Sequence, residues 1–296
     1  MGKIFLGVSV TYRSDVILED GIYGRRAVLH GGWDASLTEY LIRAGVVELV
    51  LNQAKGWQGN NLSFLAGLPD LKLFEIFDFN IKDITPIHSL CGLRRLGITT
   101  YCSTEIRFSA FSNLQSCALE WRPKATSLFR CRTLKELFVN RYDGKDLIPF
   151  SKLTDLESLA ILNAPVSNLR GLDGLKKLRL LRLANLKRLS SLAGVEGLGQ
   201  LEELEVHTCR GIRSIDEVGS LPQLRKLHLN NDGVIESLKP LDRLSCLESV
   251  LFYESTNILD GDLSPVFHQK NLRRVSFRNR RHYSHRREEF GTAYTR

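Results

Sequence analysis

What this chain of 296 residues lacks narrows it first. No stretch is long and apolar enough to span a bilayer. Residues Met1 to Tyr12 hold one lysine and a short apolar run broken by Ser9 and Thr11, without the long apolar core of a secretory leader. Both absences lead to the expectation of a cytoplasmic protein that does not enter a membrane. Six cysteines are present, at 91, 102, 117, 131, 209 and 246, and none forms a CxxC pair. Neither a zinc site nor a redox motif is implied, and free structural thiols are expected, with Cys117 and Cys209 buried. Nucleophile elbow, phosphate loop, HExxH and dinucleotide fingerprint are all missing. We therefore expect no catalytic residues, no cofactor and no bound metal, and do not read the chain as an enzyme. An even spread of positive charge is also lacking. The net charge is +8, but residues 272–296 hold eight arginines against Glu288 and Glu289, a net of +6. An argument for nucleic-acid binding is therefore confined to this tail.

What the chain has is periodicity. Apolar residues recur in steps of three: Val166, Leu169, Leu172, Leu175, Leu178, Leu181, then Leu186, Leu189, Leu192, Val195, Leu198, Leu201, Leu204. The series resumes at Ile212 and again at Ile235. Between the series stand alternating pairs, Leu159/Ile161, Leu181/Leu183, Leu204/Val206 and Leu227/Leu229. Alternation implies a strand, and a three-residue step implies a tight turn or short helix returning to the next strand. One such unit cannot bury its own apolar face, so neighbours must stack. Repeats begin at Val46, Leu71, Leu93, Leu114, Leu134, Leu156, Leu178, Leu201, Leu224, Leu247 and Leu272, in steps of 20 to 25 residues.

This pattern resembles the leucine-rich-repeat (LRR) family, in its short bacterial and phosphatase-regulator styles, over about residues 46–280. The resemblance implies an α/β fold: a solenoid with a curved parallel sheet of about eleven strands and an irregular or short-helical convex side. Residues 1–45 do not repeat and are expected to form an N-terminal cap, with residues 281–296 as a basic C-terminal cap or tail. In the first segment Val8 and Val10, then Val16 to Leu18, suggest short strands or a hairpin turning at Gly21 and Gly24. Ser36 to Glu39 reads as a capping box for a helix presenting Leu37, Tyr40, Leu41 and Ala44, stopped by Gly45. The family's usual asparagine position holds other residues here, among them Ala54, Phe79, Tyr101, Arg122, Tyr142, Ala164, Leu186, Cys209, Asp232, Ser255 and Arg280. Other donors must then satisfy the turn carbonyls. The repeats from Leu93 to Leu134 are the least regular, and their convex segments are expected to be mostly irregular. Asp260-Gly261-Asp262 reads as a turn rather than a calcium loop.

Outward strand positions supply the candidate site. The column after each first leucine reads Lys135, Glu157, Arg179, Glu202, Arg225, Glu248, Arg273, alternating in sign. It reads as an internal ladder fixing repeat order, with a charged docking strip as the competing reading. Adjacent columns place Phe77, Trp121, Phe138, Arg141, Arg182, His207, His228 and Tyr253 outward, and the same register puts Asp78 outward beside Phe77. Trp121 and Arg141 fall on successive strands, where they could stack. Aromatics and arginine concentrate where protein partners bury energy, so these eight are the candidate partner-binding residues. Glu205 beside His207 and His228 could act as a carboxylate–imidazole pair, but reads as a surface polar cluster.

The expectation is a non-enzymatic, monomeric protein-binding module. Bacterial chains of the resembled type include candidate immunity proteins, so the resemblance implies a toxin as one partner class. The alternative is a nucleic-acid-associated protein acting through the arginine-rich C-terminus, with Tyr283 among its arginines.

Overall fold

The computed structural model describes residues 13–290. Val8, Val10 and the leader reading of Met1 to Tyr12 lie outside the described residues. The chain divides into two units, the first ending at Thr133 and the second beginning at Leu134.

Unit 1 opens with an antiparallel hairpin, β1 (Val16–Asp20) and β2 (Arg25–Leu29), closed where Gly21 N–H donates to the Gly24 carbonyl. Helix α1 (Ala35–Arg43) follows. Then come β3 (Val46–Asn52), β4 (Leu73–Phe77), β5 (Arg95–Thr99) and β6 (Ser116–Glu120), all parallel, with β2 pairing parallel to β3. The hairpin therefore extends the sheet rather than lying across it. Strand β2 buries Ala27 and Leu29 on the face of the core residues Leu49 and Leu51, and Val28 on the opposite face beside Val50.

The N-cap of α1 is a correction to the sequence reading. Asp34, not Ser36, caps the helix and accepts from Ser36 N–H at 2.8 Å. Arg13 donates to Asp15 and to Asp34, which anchors that carboxylate at the helix start. Glu39 pairs with Arg43 one turn on instead of reaching back to the cap. Leu37 and Leu41 are buried as the apolar spacing requires.

Unit 2 holds β7 (Glu136–Asn140), β8 (Ser158–Leu162), β9 (Leu180–Ala184), β10 (Glu203–His207) and β11 (Lys226–Asn230). After these come β13 (Ser249–Tyr253) and β15 (Arg274–Phe277), all paired parallel. A short parallel pair, β12 (Val234–Ile235) with β14 (Asn257–Ile258), lies outside the main ladder. Among the described residues the eleven repeat strands expected from the sequence are present, and the two hairpin strands bring the count, β12 and β14 apart, to thirteen.

Parallel strands need a return path, and the three-residue apolar step builds it. In residues 163–178 the N–H of Leu172 donates to Leu169, Leu175 to Leu172 and Leu178 to Leu175, at 3.1, 2.8 and 3.0 Å. The last residue of one turn is the first of the next. Each shared residue is a leucine pointing inward, and all four are fully buried. Residues 186–201 repeat the device through Leu192, Val195, Leu198 and Leu201. One expectation holds only in part. Two of the most periodic repeats, over 163–178 and 186–201, return as chained turns without a helix, whereas those after Ile212 and Ile235 carry the 3-10 segments Asp216–Ser220 and Lys239–Arg243, and the irregular middle repeat carries Pro123–Arg130. Period three suits both solutions, because successive turns and a 3-10 stretch both bond an N–H to the carbonyl three residues back.

The chain of turns packs tightly on its neighbour. Gly194 has φ +113°, and a Cβ there would meet the Leu169 carbonyl oxygen at 2.2 Å. Only glycine fits a left-handed conformation at that approach.

The C-terminal end is closed by aromatics. Phe252 stacks on Phe277 at 4.9 Å, Tyr283 packs edge-on to both, and Phe290 is buried beside Phe277. Ile258 N–H donates to the Tyr283 hydroxyl at 3.0 Å. Asp260 and Asp262 accept from the N–H groups of Asp262 and Ser264, so this triplet is a turn.

Candidate functional site: the outward strand face

A strand points alternate residues to opposite faces, so the face opposite the leucine core is set by register. In unit 2 the paired positions run Phe138, Ala160, Arg182, Glu205, His228, Leu251, and beside them Asn140, Leu162, Ala184, His207, Asn230, Tyr253. These are the columns expected from the sequence.

How the chain leaves each strand decides what stands next to these columns. In unit 2 the residue after the strand is left-handed in six repeats: Arg141, Asn163, Asn185, Thr208, Asn231 and Glu254, with φ between 54° and 59°. Asparagine tolerates this conformation better than most non-glycine residues, which accounts for three of the six. The left-handed residue interrupts alternation. Two outward residues stand in succession, and the next, such as Leu186 or Cys209, turns into the core. The exits are tied strand to strand: N–H of Asn163 donates to Ala184 at 3.0 Å, Asn185 to His207 at 2.8 Å and Thr208 to Asn230 at 2.8 Å. Asn163 Nδ2 also donates to Asn140 Oδ1 at 2.7 Å, and Asn185 Nδ2 to Asn163 Oδ1. An asparagine ladder thus exists outside the core, with Asn163 and Asn185 one residue earlier than the family position and Asn140 two.

Strands β4 and β5 of unit 1 exit without that interruption. Asp78 follows Phe77 directly into the interior and accepts from Trp57 Nε1 at 3.0 Å. Assigning Asp78 to the outward column was therefore wrong. Phe79 and Tyr101 come outward instead. Phe77 meets Phe79 edge-on at 4.9 Å, and Phe79 stacks on Tyr101 at 4.3 Å. Phe77 is 37% exposed and Tyr101 62%. Sequence reasoning missed Phe79 and Tyr101 because it applied one fixed offset to every repeat. The aspartate at 78, where the other repeats mostly place Asn, Arg or Thr, was the available signal.

Two further ladder positions depart from expectation. Ala54 is exposed, and Ser255 is exposed while Thr256 beside it is buried. Thr256 Oγ1 donates to the Leu229 carbonyl at 3.0 Å, and Arg280 donates to Thr256 O. These are the substitute donors that the missing core ladder requires. Asp232 does the reverse, accepting from Cys209 N–H at 2.7 Å.

The eight candidate residues fall into separate settings. Phe77 belongs to the aromatic stack. Trp121, also in unit 1, is half-buried against Phe129 at 5.6 Å. In unit 2, Phe138 is exposed on β7 and Arg141 is exposed at its exit, while Tyr253 is half-buried on β13. Arg182, His207 and His228 gather around Glu205. Arg182 donates to Glu205 Oε2, His207 Nε2 stands 3.5 Å from the same oxygen, and His228 Nδ1 lies 3.9 Å from Oε1. The Arg182 guanidinium holds the Glu205 carboxyl below the usual carboxylate range. Burial lowers the His228 imidazole below its ordinary value, with Glu205 opposing.

His228 Nε2 also lies 3.3 Å from Ser249 Oγ, so a hydroxyl does accompany the carboxylate–imidazole pair. Serine, histidine and acid in sequence of contact invite a hydrolytic reading. Three observations oppose it. Ser249 is only 6% exposed. The His228–Glu205 separation is too long for the orienting hydrogen bond. Glu205 is already committed to Arg182. The cluster is a self-neutralised polar patch.

The alternating charges pair two by two. Lys135–Glu157 lie at 3.0 Å, Arg179–Glu202 at 2.6 Å, and Arg225 binds Glu248, with Arg273 at 3.9 Å from the same glutamate. This supports an internal ladder. Among the described residues no group of three or more His, Cys, Asp or Glu side chains could hold a metal ion. Nor is any helix there long and apolar enough to cross a membrane.

Comparison with known proteins agrees with this architecture. The chain is similar to the crystal structure of an internalin from Listeria monocytogenes, with TM-score 0.56 and 21% identity over 86% of this chain and 82% of that one. It is similar to a Leptospira interrogans LRR protein, with TM-score 0.50 and 15% identity over 84% and 81%. It is also similar to a TDR receptor, with TM-score 0.62 and 17% identity over 83% of this chain and 45% of that one. At these identities the likeness shows the fold: the chain is a leucine-rich-repeat solenoid. No family model and no curated protein matches it.

Proposed function

We propose that this chain is a protein-binding module whose docking surface lies on the outward strand positions. The observation that carries the reading is the aromatic stack of Phe77, Phe79 and Tyr101. Its rings sit at or just beyond strand ends, outside the leucine core, and two of them are exposed. Aromatic rings held on a rigid sheet bury much area on association at little entropic cost. In unit 2, Phe138, Arg141, Arg182, His207, His228 and Tyr253 present a mixed and largely neutralised face. Such a face favours a partner recognised by shape and hydrogen bonds over one recognised by charge. Within this reading, a toxin neutralised by the chain is the finer partner class, resting on the resemblance alone.

The arginine-rich C-terminus supports the second reading, nucleic-acid binding, less well. Tyr283, Arg280 and Phe290 are committed to closing the end of the solenoid.

The test is affinity capture from the native host, followed by titration of the captured protein against the parent and a Phe77→Ala/Tyr101→Ala variant. The expected result is a loss of about 2 kcal/mol or more with unchanged melting. Parental binding by that variant, together with a steep salt slope abolished by Arg278→Gln/Arg281→Gln/Arg286→Gln, would transfer the function to the basic end.

A further inference from the structure

Cys102 follows Tyr101 in unit 1 and has a chemical setting unlike the other five cysteines. Two polar groups converge on its sulfur. Arg122 Nη1 donates to Sγ at 3.2 Å, and Thr100 Oγ1 lies 3.2 Å from Sγ. Arg122 Nη2 donates to that same Thr100 hydroxyl at 3.1 Å. The guanidinium thus occupies one lone pair of the hydroxyl, whose proton is free to turn to the sulfur. Sulfur that accepts from a guanidinium and faces a hydroxyl is placed as an acceptor, which is the role of a thiolate.

Arg122 is itself the second observation. It is only 5% exposed, its Nε lacks a hydrogen-bond partner, and among the described residues it forms no ion pair with a carboxylate. Its remaining bonds go to the Thr100 and Cys102 carbonyls. A buried guanidinium without a counter-charge is costly, and an anion beside it relieves that cost. Cys102 Sγ is the ionisable atom in direct contact. Burial alone would push this thiol up, but the Thr100 hydroxyl and the Arg122 charge outweigh it and hold Cys102 below the ordinary thiol range. By contrast, burial pushes the Cys209 thiol up to about 12, and it raises Cys117 and Cys131 as well. Cys102 is also half-exposed, so a small electrophile can reach it.

We propose that Cys102 is a modification site, a thiol oxidised to sulfenic acid by hydroperoxides, with Arg122 and Thr100 as its positioning residues. In the step the thiolate sulfur attacks one peroxide oxygen. The S–O bond forms as the O–O bond breaks, sulfur loses two electrons to the peroxide, and the leaving hydroxide (alkoxide from an organic hydroperoxide) takes up the proton that the thiol released on ionising, giving water or an alcohol. The product is Cys102 sulfenic acid, which a thiol can return to the reduced state through a mixed disulfide. This inference is independent of the docking face.

The experiment uses the full chain at pH 7 with hydrogen peroxide and dimedone as the sulfenic-acid trap, read by peptide mass spectrometry at all six cysteines. Cys102 is expected to gain the adduct at least tenfold faster than Cys91, the exposed cysteine. In iodoacetamide alkylation, its rate-versus-pH curve should have a lower midpoint than that of Cys91 in the same molecule. Arg122→Met should move that midpoint up to or above the Cys91 value. Because Arg122 also carries two carbonyls, Thr100→Val, which removes only the hydroxyl, is run beside it and should shift the curve in the same direction. Equal labelling of Cys102 and Cys91 with coincident curves would overturn the proposal. So would a Cys102 curve that neither substitution moves in a protein that remains folded.

Discussion

Strands β4 and β5 of unit 1 turn into the core directly after their last outward residue, whereas in unit 2 the chain waits one residue longer. The first solution buries a polar side chain, as Asp78 does under Trp57 and as Thr100 does under Arg122. The second keeps the exit residue outside in a left-handed conformation and lets an apolar residue such as Leu186 fill the interior. Strand β6 stands between them, with the later inward position at Arg122 but no positive φ at Trp121. Both routes answer one demand, that the polar groups at the strand exits find partners. Unit 1 spends side-chain hydrogen bonds on it and gains outward aromatics and the Cys102 setting. Unit 2 answers with backbone and an asparagine ladder, and gains a repeat regular enough to chain its turns.

The sharpest contrast is in what a single methyl group does. A Cβ at Gly194 of unit 2 would press on the backbone of the preceding repeat, whereas at Gly92 of unit 1 its nearest neighbour would be 3.7 Å away. Gly194→Ala should lose about 3 kcal/mol or more, from the clash together with the strain of positive φ. Gly92→Ala should stay within about 0.5 kcal/mol. Chemical denaturation of both variants measures the difference. Equal effects would mean that the turns of unit 2 yield as easily as those of unit 1.

Asp232 is where unit 2 adopts the buried-polar solution of unit 1, and it does so incompletely. Its Oδ2 lacks a partner, and burial pushes its carboxyl up to about 7. Between about pH 4 and 7 the unfolded chain has released a proton that the folded chain retains. Stability contributed by this group is therefore full below about pH 4, is lost as pH rises towards 7, and changes little above that. Asp232→Asn keeps the acceptor for Cys209 N–H and removes the titration. The shift represents on the order of 4 kcal/mol, and an unpartnered amide nitrogen takes back part of it. We expect a gain of about 2 kcal/mol at pH 8 that vanishes near pH 4, read from melts across that range. A variant whose pH profile parallels the parent would show that Asp232 ionises freely in the fold.

Much of this was legible from residue types. The leucine steps carried the strands, the returns and the eleven repeats, because period three and period two have separate geometric meanings. The face columns of unit 2 were legible because register there is uniform. What was not legible was backbone conformation at the exits. Arg141, Thr208 and Glu254 are left-handed although nothing in their chemistry calls for it, since neighbouring strands impose it. The same blindness hid Phe79 and Tyr101. The helix cap was misplaced because Arg13, distant in sequence, anchors Asp34. Thr208 offers a smaller test of this view. A β-branched residue at positive φ is strained, so Thr208→Asn should stabilise unit 2 by about 1 kcal/mol, and its melting midpoint should rise. Loss of stability would mean that the Asn231–Thr208 bond at 3.2 Å outweighs the strain.

The smallest expected effect concerns the charge ladder, which the sequence presents as continuous and the structure resolves into pairs. Glu202 lies 2.6 Å from Arg179, while Arg225 turns to Glu248 on its other side. Reversing Glu202 to Lys therefore removes one pair and adds like charge beside Arg179. A fully continuous ladder would lose two pairs. The Arg179 side chain is 62% exposed, so solvent screens the pair. The expected loss is about 0.5 kcal/mol at low salt, shrinking at high salt. Affinity for a captured partner should stay at the parental value, since the proposed face uses other columns. A loss of 1 kcal/mol or more at low salt would mean that Glu202 also holds Arg225. A large fall in affinity with unaltered melting would instead make this strip the docking surface and remove the aromatic stack of unit 1 from that role.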